Sequence, residues 1–362
     1  MDPAFRRQLY RTGRCDAERD FAEGNYINPG PWRLPHNHYA VMDYCRRLKV
    51  PIEPFIQTNY NAHVHRKDAF GGKPMRIKDI KTDYRGHISE LLAKAFDQDK
   101  LDDLVTQDDK ELLIESLRRF GALNNQNAYT KSPETSDYRG YERQPGGGAN
   151  AEPIASNLLD PSQVIQSKLW RYLSTHEQMN HHAPMFQPVG GIDGIAIGFG
   201  REVGDLITYN AKVTWLQQDE SGVTVTREDS AGGGTWTSTA DYRVCTIPFS
   251  IPGQIDHNLS GDLAAIVGSM PYNGSTRVGL EFNRRLWEQD EDIYGGISYT
   301  DQAISQIVAS REAVWLFLER SRFEFVPVLH PLQGRPAAQS RLRKLLVVEP
   351  YMAVQHRLQF FA

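Results

Sequence analysis

The chain has 362 residues, 40% of them hydrophobic and 24% charged, with 41 Lys or Arg against 45 Asp or Glu for a formal net charge of -4. At roughly 150 residues per domain this length predicts two domains, and it excludes both a wholly disordered chain and a small disulfide scaffold. The lack of a basic excess argues against nucleic acid as a partner, which leaves a small molecule. Cys15, Cys45 and Cys245 lie too far apart in sequence for a CxxC pair or a metal cluster, so no metal is expected. No apolar run reaches the eighteen or so residues of a membrane span. The first twenty residues lack the apolar region of a secretory signal, so the cytoplasm is the default expectation.

In chain order, FAEGNYINPGPWRLP is too rich in glycine and proline for a helix and reads as a loop. From Asn37, a candidate N-cap, the placing of Tyr39, Val41, Met42 and Cys45 predicts a helix. PIEPFIQTNYNAHVHR alternates like a strand and leads into a polar, lysine-rich stretch. Helices are predicted over 88–105, with Leu91, Leu92, Ala95 and Phe96 on one face, and over 109–120. Gly121 would end the second as its left-handed C′ residue. Residues 122–155 read as a long surface loop, and 161–176 as a helix with Pro161 in its first turn. Next, GGIDGIAIGFGREVG predicts a turn feeding a helix. LITYNAKVTWLQQ, GVTVTRED, TWTSTADYRVCTIPF and STRVGLEF predict strands, and DLAAIVGSM a helix. There is no internal repeat, and helices inserted in a β-rich framework predict an α/β or α+β enzyme with discontinuous domains.

The segment Asn28 to Pro35 is the most informative chemically. Gly30 allows close backbone approach, and Arg33 offers a planar fork of donors suited to a carboxylate or phosphate. The same residues also describe a rigid surface turn with a solvated arginine, which composition alone favours. His63 and His65, two apart on a predicted strand, share a face, but no third metal ligand accompanies them. His176, His181 and His182 read as surface histidines.

FAEGNYINPGPWRLPHNH, followed by NYNAHV, resembles the flavin-dependent amine oxidase family, particularly its L-amino-acid oxidase branch. Four further segments resemble the family in its own order: QPVGGIDGIAIGF, ITYNAKVTWLQQDESGVTV, ADYRVCTIPFSI and STRVGLEFNRRLWEQDEDIYGGISYTD. Together they cover residues 20 to 304. The resemblance implies that Gly30, Pro31, Trp32 and Arg33 line the flavin of FAD, that Arg33 grips the substrate carboxylate, and that the Val213 backbone meets the adenine end. Arg277 stands where the family's lysine holds a water near flavin N5, and an arginine there is hard to deprotonate. His176 falls where some L-amino-acid oxidases carry a helical-domain histidine proposed as a base. The implied reaction oxidises the CH–NH2 group of an L-amino acid or primary amine to an imine, with O₂ reduced to H₂O₂.

Two departures qualify this. No GxGxxG turn precedes Gly24, so the usual anchor for the dinucleotide is absent and the N-terminus reads as truncated. After Thr300 and Asp301 the resemblance stops, and residues 311–362 hold eight Lys or Arg against four Asp or Glu. A frameshifted reading explains that change better than a divergent tail with a basic amphipathic helix. The expected fold is thus α/β (α+β), with an FAD/NAD(P)-binding-type flavin domain lacking its first βαβ unit, built from residues 1–41 and 186–252. A helical insertion, 42–185, and the strands of 253–304 would form the substrate domain, and 305–362 a divergent basic tail. The competing readings are a non-catalytic fragment or remnant and an interaction module on the same scaffold. No motif fixes the oligomeric state.

Overall fold

The computed structural model describes residues 31–97, 106–148, 152–247, 255–269, 276–309, 315–320 and 342–348. In chain order the elements begin with β1 (Leu34–Pro35), α1 (Tyr39–Arg47), β2 (Ile52–Pro54), β3 (His63–His65), β4 (Met75–Arg76), α2 (Ile77–Asp97), α3 (Gln107–Gly121) and α4 (Pro133–Arg139). There follow β5 (Tyr141–Arg143), β6 (Ile154–Ala155), α5 (Pro161–Gln166), β7 (Met185–Pro188), α6 (Asp193–Val203), β8 (Ala211–Asp219), β9 (Gly222–Asp229) and β10 (Thr235–Ala240). The rest are β11 (Asp256–His257), α7 (Gly261–Ser269), β12 (Thr276–Phe282), α8 (Leu286–Gln289), β13 (Ile297–Thr300), β14 (Gln306–Ala309), β15 (Trp315–Arg320) and β16 (Leu342–Val348). This mixture of helices and sheets is of the α/β class. The chain divides into two compact units, one of residues 1–54, 186–283 and 317–362, the other of 55–185 and 284–316.

In the first unit, β7 lies between β1 and β2, with Ile52 opposite Pro188 in the antiparallel β2–β7 pair. Under this sheet Leu34, Cys45, Leu48 and Val50 form a core with Phe186, Ile192, Ile195 and Phe199. α1 packs with β1, and the contact-based unit runs on through β2 to Pro54. The helix is preceded by His38, not Asn37, and has no side-chain cap. Gly198 lets α6 lie against the residues after α1, since a Cβ there would stand 3.0 Å from Leu48 Cβ.

A second sheet has the order β10-β9-β8-β11, with β8 to β10 antiparallel and β11 parallel to β8. Its core is Val213, Leu216, Ile247 and Ile255, with Val225 against them. A bulge follows Val213, shifting the register from Val213 opposite Arg227 to Trp215 opposite Thr226. Simple alternation would put residues three apart on opposite faces; the bulge turns Val213 and Leu216, 3% and 6% exposed, to the same core. The strand expected to continue through ADYRVCTIPF stops at Ala240, because its partner β9 ends one residue beyond Val223 and leaves no ladder to extend. β12 pairs antiparallel with β16. Residues 342–348 of the basic tail are thus a strand where the alternative reading has an amphipathic helix.

In the second unit β3 pairs with β4 and β13, and β13 with β14. Ala62, Val64, Ile77, Ile80 and Leu169 form its core. α2 begins at Ile77 rather than Ile88, because the lysine-rich stretch before it carries these two buried isoleucines and a buried polar set of Thr82, Asp83, His87 and Ser89. Leu91 and Leu92, the expected apolar face, are 56% and 42% exposed. α3 starts in a reciprocal capping box between Thr106 and Asp109. Ala122, not Gly121, takes the left-handed φ of 53°. Gly121 answers to packing instead, since a Cβ there would lie 2.4 Å from Ser89 Cβ.

The expected surface loop of 122–155 contains α4, capped by Ser132 and Thr135, and the β5–β6 pair. What holds it is buried charge. Asp83 accepts hydrogen bonds from Tyr129 Oη at 2.7 Å, from the Leu159 N–H at 2.8 Å and from Arg139 Nη1. Arg139 also donates from Nε to Ser156 Oγ at 2.9 Å. Gly86 leaves room for the Tyr129 ring, which a Cβ would approach to 2.3 Å. The helix predicted over 161–176 is shorter: α5 stops at Gln166, and 3₁₀ turns at Leu169–Tyr172 and Thr175–Glu177 follow.

Candidate functional site

Pro31, Trp32 and Arg33 lead directly into β1, beside β7. β7 in turn feeds Gly190 and Gly191, at φ 77° and 115°, and then α6. Those angles favour glycine, which lets the chain turn from strand into helix within a few residues. Trp32 and Arg33 are half-buried, with Arg33 Cζ 5.8 Å from the indole centroid. A guanidinium at this distance from an indole is in the range of a cation–π contact. Gly30 lies outside the described residues.

Val213 turns its side chain into the core, so only its main chain, next to the bulge, is left for a ligand. Directly opposite stands Arg227, a residue the motif reading passed over. Directly paired residues of an antiparallel ladder share a face. Arg227 Nη1 donates to Ser238 Oγ at 2.8 Å, while Arg227 Nε is buried and has no acceptor. Arg243 Nη1 and His257 Nδ1 are likewise buried without partners. The signal was available in GVTVTRED, where Val223, Val225 and Arg227 alternate on one face.

His176 sits half-buried in the 3₁₀ turn Thr175–Glu177 of the second unit. Burial, and then the nearby Lys81 cation, hold its imidazole below the usual histidine range. His182 is half-buried and contacts the Ala183 carbonyl oxygen at 2.7 Å. His63 and His65 flank buried Val64 as predicted. Both ring nitrogens of His65 are engaged, by Thr300 Oγ1 at 2.8 Å and the Gly72 carbonyl at 3.2 Å. No group of three metal-ligating side chains occurs among the described residues. Arg277 lies on β12 opposite Val348, in the first unit with Arg33 and Val213; its side chain is outside the described part. No described helix is long and apolar enough to cross a membrane.

These elements can be set beside known proteins. The sequence profile of the flavin containing amine oxidoreductases matches residues 13–327. That span includes the expected 20–304 and extends beyond it at both ends. An L-amino-acid oxidase of Bothrops moojeni is 28% identical over 303 residues, covering 80% of this chain and 56% of its own. One from Naja atra is 26% identical over 291 residues, covering 80% and 55%. The chain thus spans about half the length of the curated relatives it matches. A structure of wild-type putrescine oxidase bound to putrescine superposes with a TM-score of 0.50 at 16% identity, over 91% of this chain and 75% of that one, which shows a shared fold. The profile match over most of its length shows that the chain belongs to the flavin containing amine oxidoreductase family, whose cofactor is FAD.

Proposed function

We propose that this chain serves an FAD-dependent oxidase that converts the CH–NH2 group of L-amino acids, or of related primary amines, to the imine, with O₂ reduced to H₂O₂. The observation that carries the reading is the half-buried Trp32–Arg33 pair at the entry to β1, beside the strand that feeds the Gly190–Gly191 turn. The L-amino-acid oxidases among its relatives favour a substrate with a carboxylate.

The residues present fit the cofactor. FAD needs an aromatic or apolar surface for its ring system, and the half-buried Trp32 of the first unit would supply one. Bound FAD would supply the acceptor for a hydride equivalent from the substrate. The chain's own residues do the rest. Arg33 binds and orients the carboxylate through a forked pair of hydrogen bonds. Arg277 keeps a fixed positive charge where the family's lysine holds a water. Water then hydrolyses the imine.

The test is peroxide release by the purified protein on paired substrates, L-amino acids and the amines made by removing their carboxylates. Turnover of the L-amino acids is expected. A flavin-loaded protein that releases no peroxide from either set would overturn the reading.

A further inference from the structure

We propose that the outer face of α3 is an interface at which two copies of this chain pair, helix against antiparallel helix, about a twofold axis at Ser116. The inference is independent of the FAD reading and concerns the second unit alone. Ile114 and Leu117, both half-buried, share a face with Gly121, which packs so closely on α2 that a Cβ there would lie 2.4 Å from Ser89 Cβ. On the opposite side Leu112, Ser116 and Phe120 follow at intervals of four residues, which puts them in one line along the helix. Leu112 is 65% exposed, Phe120 58%, and Leu113 beside them 38%. At the Phe120 end the half-buried Arg85 of α2 has its Cζ 5.2 Å from the Phe120 ring centroid and 4.6 Å from that of Tyr138, itself 52% exposed. A guanidinium clasped between two exposed rings, next to exposed leucines, has the composition of an interface hot spot.

The charges name the occupant. The first turn of α3 carries Asp108 and Asp109, with Glu111 just beyond, and its last turn carries Arg118 and Arg119. Arg119 already pairs with Glu115 at 3.1 Å, whereas Arg85 has no carboxylate partner among the described residues. A helix that is acidic at one end and basic at the other complements a second copy of itself when that copy is reversed. Ser116 is midway between Leu112 and Phe120, so reversal about it seats Leu112 of each copy on Phe120 of the other. A small serine at the crossing lets the two backbones come close. Arg85, held on Phe120, then stands beside the acidic first turn of the second copy. The helix has 15 residues and is about 22 Å long, so this face is smaller than the roughly 800 Å² per partner of a standard interface. The pairing is therefore concentration-dependent.

Sedimentation velocity of the full chain from about 1 to about 200 μM tests this, and the wild type should pass from monomer to dimer across that range. Leu112→Glu, at an exposed position, should weaken the dimer by about tenfold or more, while Leu91→Glu, also exposed but on α2, should leave it unchanged. In a chain carrying Cys15→Ser and Cys245→Ser, mild oxidation of Ser116→Cys should yield a disulfide-linked dimer, and oxidation of Leu91→Cys should not. A wild type that stays monomeric throughout overturns the proposal. So does a dimer that Leu112→Glu leaves intact, or one in which Ser116→Cys cross-links no better than Leu91→Cys.

Discussion

Arg33 is half-buried against Trp32, and its role reduces to one pairing. Arg33→Ala should cost L-amino acids about 1.5–3 kcal/mol, on the order of tenfold to a hundredfold in kcat/KM, while simple amines lose little. Equal losses on both would contradict a carboxylate contact. His176 has its proton affinity lowered by burial. At Asp79, burial raises the carboxyl above its ordinary 3.8 against the pull of Arg139 and Lys78. The folded state thus holds this proton more tightly than the unfolded state, and stability is lost as pH rises through the shifted value. Asp79→Asn should raise Tm at pH 7, with the gap closing as pH falls below about 4, as a pH series of thermal melts would show. Arg33 and Val213 could be singled out because they sit in contiguous motifs. Asp83 and Arg139 were not, since their pairing joins positions far apart in sequence.

At the scale of elements, the misreadings share a cause. The start of α2 was hidden because its inner face buries Asp83 and His87 rather than a run of leucines. The stretch 122–155 looked like loop because Arg139, its anchor to that helix, counts as polar in any hydropathy pattern. The bulge after Val213 breaks the period of two that marked the strand. Asp83→Ala removes the acceptor shared by Tyr129, Arg139 and Leu159, and leaves buried Arg139 with the more distant Asp79 carboxylate at 3.8 Å. Such a break should cost about 3–5 kcal/mol in denaturant unfolding, with hydrogen exchange of 129–159 accelerating first. Gly86→Ala drives a methyl into the Tyr129 ring and should cost about 1–3 kcal/mol in the same assay. A loss below about 0.5 kcal/mol in either variant would contradict the packing described.

For the whole molecule, the order of five motifs along the chain disclosed the family and the fold class, because motif order survives where pairwise identity falls to 28%. The division into units was less legible. It follows contacts such as Leu34 with Cys45 and Leu48, which place α1 under the β1–β7–β2 sheet. The central claim is that this chain holds FAD. The most direct measurement is the visible spectrum of the purified chain after incubation with FAD and removal of the excess by gel filtration. Retained flavin absorbance near one equivalent per chain is the predicted result. A colourless protein that emerges folded, with all the flavin left in the small-molecule fraction, would contradict it.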